Sequence, residues 1–159
     1  LAGRADSPFL KADVGPDIAR VRAPFLGELD PYSVLTLARA VRRHAIDILH
    51  AHTSHAHTYA CLAAALARRG RVVVSRRVDF APRRTPFNRW KYGRPDRVVA
   101  ISNRIAAVLQ EFGLTPPQLT VVHSAIDPAR FDVPPLPRSE LGVPEGVPLL
   151  GNVAALVGH

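Results

Sequence analysis

The sequence predicts an open, doubly wound parallel α/β domain. Three observations carry that prediction. Apolar, β-branched runs such as "RVVVS" (71–75) and "DRVVAIS" (96–102) are continuous, as in strands buried on both faces. Amphipathic or Ala/Leu-rich stretches of helical length separate them. Capping residues and glycines punctuate the alternation. Strand–helix–strand order of this kind builds a parallel sheet with right-handed crossovers.

The elements follow in order. Ser7-Pro8 reads as a cap and first-turn proline, opening a short helix over about 8–13. "IARVRA" (18–23) alternates as a half-buried strand does. Asp30-Pro31 repeats the cap signal before Val34, Leu35, Leu37, Ala38 and Val41 at helical spacing. "AIDIL" (45–49) is a short strand. Ser54 caps a helix over about 55–69 that Gly70 ends. After the 71–75 strand comes an irregular stretch with Pro82 and Pro86 and a short turn of helix at "FNRWKY". Ser102 caps "NRIAAVLQEF", which Gly113 ends. "LTVVHS" (119–124) is a further strand. Residues 134–148 are proline-rich, and "LLGNVA" (149–154) starts a new strand.

Composition bounds the chemistry. Of 159 residues, 47% are apolar, yet no run reaches the roughly 18 residues of a membrane span. Residues 1–20 mix charge and proline and lack the apolar segment of a leader peptide. Cys61, the single cysteine, has no internal disulfide partner and lies among alanines and leucines, as a buried thiol would. The absence of methionine and the ending "PLLGNVAALVGH" read as a piece of a longer chain. The net charge of +8 is concentrated: residues 68–97 hold eleven basic side chains against Asp79 and Asp96. Such a block suits a phosphate, a nucleic acid or an anionic membrane, or forms a solvated arginine-rich surface.

In open parallel sheets ligands bind beyond the carboxyl ends of the strands. Four turns there carry polar residues. "HAHTSHAH" holds His50, His52, His55 and His57. His50 and His52 share one side of an extended chain, whereas His55 and His57 diverge by about 200° on a helix. A tetrahedral zinc site from all four is therefore disfavoured, and a zinc hydrolase on His50 and His52 is a minor alternative. A strand end that opens a helix also offers free N–H groups, with Thr53 and Ser54 hydroxyls beside them. His52 is assigned to function, while His55 and His57 read as solvated. "SRRVDF" places Ser75, Arg76, Arg77 and Asp79 past a buried strand; arginine suits bidentate phosphate binding, and one of the pair can salt-bridge Asp79. "AISNR" offers Asn103 to the same crevice. "HSAIDPARF" reads as the exit from the domain. No phosphate-loop, dinucleotide-loop or nucleophile-elbow motif is present.

"DILHAHTSHAH", "VVVSRRVDF", "KYGRPDRVVAISNRI", "LTVVHSAIDPARF" and "LGVPEGVPLLGNVAALVGH" occur in an order that resembles bacterial glycosyltransferases of family four. The resemblance covers nearly the whole chain and implies a B-type enzyme with two Rossmann-like domains. It implies that residues 1–133 are an acceptor-binding N-terminal domain without its first βα unit, 134–147 the linker, and 148–159 the start of a donor-binding domain. It implies a retaining hexosyl or heptosyl transfer from a nucleotide sugar, as co-substrate rather than cofactor, to a cell-envelope glycan or lipid-linked acceptor such as lipopolysaccharide. His50, His52 and Ser54 match the family's His-x-His-Ser loop near the cleft. Ser75 to Asp79 match a strand-end motif that often holds Thr-x-His, with Arg77 at the histidine position. Arginine there implies charge stabilisation of a leaving phosphate in place of proton transfer. "HSAID" stands where the family usually has "NGID", and alanine for glycine implies a backbone without positive φ.

The resulting expectation assigns Arg77 and His52 to catalysis and His50, Ser54, Arg76, Asp79 and Asn103 to substrate binding, with no metal. The piece alone is expected to be inactive. A cytoplasmic setting is expected, with peripheral contact at the inner face of the membrane and no nucleic-acid partner. The rival within the same fold is a non-catalytic domain that binds anions, lipid headgroups or nucleic acid through the basic block of residues 68–97.

Overall fold

A computed structural model of the chain describes residues 1–11, 15–27, 29–144 and 146–152. The chain divides into two compact units, Leu1–Ser124 and Ala125–His159.

The first unit opens with β1 (Ala2–Gly3), α1 (Pro8–Lys11) and β2 (Val21–Arg22), and β1 and β2 pair in parallel. The strand expected over 18–23 is thus cut to two residues, because β1 offers only two partners. Then come α2 (Pro31–Arg43), β3 (Ile48–Ala51), α3 (Ser54–Ala67), β4 (Arg71–Arg76), α4 (Pro86–Gly93), β5 (Arg97–Ala100), α5 (Asn103–Phe112) and β6 (Leu119–Val121). Strands β3 to β6 form one parallel sheet in the order β3-β4-β5-β6. The parallel α/β, Rossmann-like class is as expected. The order advances in one direction, so right-handed crossovers set α3, α4 and α5 on one side of the described sheet.

Local chemistry explains each boundary. The Asp30 carboxylate accepts the Tyr32 N–H (3.0 Å) and the Ser33 hydroxyl (2.5 Å), with Pro31 in the first turn of α2. Leu35, counted with the apolar face of α2, is exposed, and Ser33 is buried instead. α2 ends at Arg43, Ala45 two residues on has a φ of +50°, and β3 begins three residues later than the apolar pattern suggests. Arg69 pins that turn: its guanidinium donates to the carbonyls of Ala45 and Ile46 and pairs with Asp47 at 2.8 Å. α3 is capped by Thr53, which accepts the Ala56 N–H at 3.2 Å; Ser54, the expected cap, is its first helical residue. Extended backbone at Thr53 decides the shift. α3 ends two residues before the expected limit, where Arg68 turns left-handed. α5 runs from its Ser102 cap to Gly113 as the sequence indicates.

The core lies where α3 and α5 meet the sheet. Ala51, Val72 and Val74 pack on Ala60 and Cys61, and Val98, Ala100 and Leu119 pack on Ile105 and Leu109. α2 packs outside α3 through Ala38, Val41, Ala63 and Ala67. Cys61 is buried, which pushes its thiol up to about 11 and makes it inert, as expected.

Gly70 is the tightest backbone position between α3 and β4. Its φ is +87°, and a Cβ there would run into Leu49 Cδ1 and crowd the Ile46 carbonyl. Left-handed strain of about 1–2 kcal/mol and overpacking of about 1–3 kcal/mol exceed the entropic gain of about 0.4–1 kcal/mol from replacing glycine. Gly70→Ala is therefore expected to destabilise by about 2 kcal/mol, read as a lower urea midpoint at unchanged slope.

In the second unit, Asp127 caps a 3-10 turn at Pro128–Phe131, and a second such turn spans Arg138–Leu141. Arg138 donates to the Val147 carbonyl at 2.6 Å. Residues 149–152 carry no regular structure, so the strand expected over 149–154 does not start there; 153 and 154 lie outside the described residues.

Candidate functional site at the carboxyl edge of the sheet

The carboxyl ends of β3 and β4 gather the polar residues singled out above. Register pairs His50 with Val73 and Ala51 with Val74, so His52 leaves the end of β3 while Ser75, the residue after Val74, stays in the sheet opposite Val99 of β5. His50 Nε2 and Ser75 Oγ lie 2.9 Å apart. The rings of His50 and His52 are 4.1 Å apart. Partial burial, and then the neighbouring imidazole, hold the His50 pKa below its ordinary value. Both effects favour the neutral ring beside Ser75. Ser54 Oγ accepts from the buried Lys91 ammonium at 3.0 Å.

His57 corrects the expectation that it is solvated. It is 1% exposed, its Nε2–H donates to the Lys91 carbonyl at 2.9 Å, and its ring meets Tyr92 edge-on. Desolvation, and then the nearby Lys91 charge, push its pKa down to about 4. The ring is a neutral strut between α3 and α4. His55 is exposed at the start of α3.

Arg76 and Arg77 point apart. Arg76 continues the inward face of Val72 and Val74 and is 8% exposed. It donates to the carbonyls of Val78 (3.1 Å) and Phe80 (2.5 Å) and to the Tyr92 hydroxyl (2.9 Å). Arg77 and Asp79 are exposed. Among the described residues neither arginine forms an ion pair with Asp79, which corrects the salt bridge considered for the pair. Asn103 is exposed at the first position of α5. The geometry thus joins His50, His52 and Ser75, and separately Ser54 with Arg76.

Ser54 and Arg76 line one cavity of about 370 Å³, together with Phe80, Pro82, Arg83, Asn88 and Tyr92. Sequence reading missed Arg83, Asn88 and Tyr92. The Thr85-Pro86 cap-plus-proline pair was their available signal, since it starts α4 and fixes Asn88 through the Thr85 hydroxyl at 3.2 Å. Part of the basic block is structural: Arg69, Arg76 and Arg84 all donate to backbone carbonyls. No group of three or more His, Cys, Asp or Glu among the described residues is placed to hold a metal ion. His57 faces the core, away from His50 and His52.

The sequence model of Glycosyltransferase Family 4 matches residues 2–130. The chain belongs to that family. No curated protein matches the chain. Family membership places the carboxyl-edge residues on a glycosyltransferase domain, with sugar donor and acceptor substrates. Among the described residues no helix is long and apolar enough to cross a membrane.

Proposed function

We propose that this chain is the acceptor-binding part of a retaining glycosyltransferase that moves a hexosyl or heptosyl group from a nucleotide sugar to a cell-envelope glycan or lipid-linked acceptor. The observation that carries the reading is the convergence of His50, His52 and Ser75 at the carboxyl edge of β3 and β4, where an α/β sheet takes its ligands. In this reading His52 orients an acceptor hydroxyl and Arg77 stabilises the departing phosphate by charge. His50, Ser54, Asp79 and Asn103 bind substrate. Arg76 reaches substrate only from inside the cavity, because its other donors hold the loop after β4. The nucleotide sugar is a co-substrate and comes from a separate donor-binding domain, with residues 134–147 as linker. Exposed Phe80 and Val78 beside Arg77 support peripheral contact with an anionic membrane at the cytoplasmic face.

Incubated with radiolabelled nucleotide sugars and envelope glycans, the chain alone is expected to transfer no sugar. Glycan binding, followed by saturation-transfer NMR, is expected to weaken about tenfold in His52→Ala, the equivalent of one lost hydrogen bond. Turnover at the rate of a two-domain family member would overturn the need for a donor domain. Glycan binding that is absent, or indifferent to His52→Ala, would overturn the acceptor reading.

A further inference from the structure

The cavity beneath the loop after β4 has a donor-rich wall around a buried charge. Arg76 is more than nine-tenths buried, yet its three hydrogen bonds go to two backbone carbonyls and a phenol, all neutral. Among the described residues no carboxylate pairs with it. A guanidinium has five N–H donors, so one on each Nη remains. A buried charge without a counter-charge is unfavourable unless something supplies one.

The neighbours are arranged to receive an anion. Ser54 Oγ and Tyr92 Oη each already accept a hydrogen bond, from Lys91 and Arg76, so their own protons are available to donate. Arg83 lines the cavity too, a second basic residue beside Arg76. Asn88 Nδ2 uses one hydrogen on the Arg83 carbonyl at 2.8 Å and keeps the other. No Asp or Glu lines the cavity. Its volume of about 370 Å³ falls in the range of small-molecule sites, roughly 300–1,000 Å³. That is room for more than a bare ion.

We infer that this cavity is a phosphate subsite, in which Arg76, Arg83, Asn88 and Ser54 hold a phosphate group carried by the acceptor. Donors from several directions suit the three terminal oxygens of a phosphate monoester better than the two of a carboxylate. The inference rests on the acceptor reading of the crevice.

Calorimetric titration of this chain with inorganic phosphate, glucose 6-phosphate, glucose and phosphatidic acid vesicles tests it. Phosphate and glucose 6-phosphate are expected to bind, and glucose far more weakly. Arg83→Gln should weaken phosphate binding about tenfold or more, as the loss of a charge-assisted bond does. Arg83 is exposed, so this variant should fold; its circular dichroism checks that. Arg76→Lys is the second variant, expected to lose the same affinity because one ammonium cannot replace the fork. Binding of glucose 6-phosphate but not vesicles assigns the phosphate to a soluble acceptor, and the reverse to a lipid headgroup; both support the subsite. No phosphate binding, or binding indifferent to Arg83→Gln in a folded variant, overturns it. Neutral glycans that still bind through His52 would then leave the acceptor reading standing. Phosphate binding without any glycan binding would uphold the subsite and defeat the acceptor reading.

Discussion

Acidification from pH 7 to pH 4 is expected to cost the folded chain about 3 kcal/mol through His57 alone. In the unfolded chain a histidine titrates near its ordinary value of about 6.5; in the fold, burial holds His57 down to about 4. Above pH 6.5 both states carry the neutral ring and stability is full. Between 6.5 and 4 the unfolded chain binds a proton that the native chain refuses, so stability falls as pH falls, by about 1.4 kcal/mol per unit. Below 4 both forms are charged and the loss levels off. The structural cause is visible around the ring. The ring is 1% exposed, and the Lys91 and Arg76 charges repel a second proton, while the Nε2–H bond to the Lys91 carbonyl works against the shift. Urea unfolding at pH 7.0, 5.5 and 4.0 measures it. Asp30 and Asp6, whose pKa values are lowered mainly by hydrogen bonds from Ser33 and Arg4, also lose stabilisation in acid. The quantity to read is therefore the difference between the native chain and His57→Gln, which keeps an N–H for the Lys91 carbonyl. Equal pH slopes in the two proteins would refute the assignment.

His57 also marks where sequence legibility ends. Position 57 falls in the first turn of an alanine-rich helix, and a histidine there reads as solvent-facing. Its burial comes from α4, thirty-four residues away, whose Lys91 carbonyl and Tyr92 ring close over it. No local pattern encodes that closure. α5 is the opposite case: a serine whose hydroxyl caps the Ile105 N–H, and a glycine that ends the last turn, are both local, so both limits are legible. The β3 limits fall between. Apolar alternation in "AIDIL" sets a strand nearby, but a turn pinned by Arg69 uses up residues 45–47. At the site, His50 and His52 on one strand end were legible from their spacing. The separation of Arg76 from Arg77 was not read from the sequence, where both were taken together past the strand, although Arg76 shares the parity of Val72 and Val74. What turned Arg76 inward, a phenol and two carbonyls from later in the chain, was not legible.

Arg76→Leu is expected to destabilise the chain by about 3 kcal/mol and to loosen the loop that follows β4. Two effects oppose one another. Hydrogen bonds to a charged group contribute about 1.5–3 kcal/mol each, and Arg76 makes three. Against them stands the desolvation of a guanidinium with only neutral partners, several kcal/mol in a protein interior. The carbonyls of Val78 and Phe80 belong to exposed residues and regain water when the guanidinium goes. The Tyr92 hydroxyl, on a side chain 5% exposed, regains less. The balance favours the native arginine, by less than the three bonds would suggest. Hydrogen exchange should show faster opening across residues 77–85, with β4 and β5 unchanged. Phosphate sharpens the comparison. A ligand bound only by the native state stabilises it by about 2.7 kcal/mol at one hundred times its dissociation constant. If Arg76 anchors a phosphate, added phosphate should raise the unfolding free energy of the native chain and leave Arg76→Leu where it was. The gap between the two proteins should then widen with phosphate concentration. A constant gap would leave Arg76 as a clasp for its loop and nothing more.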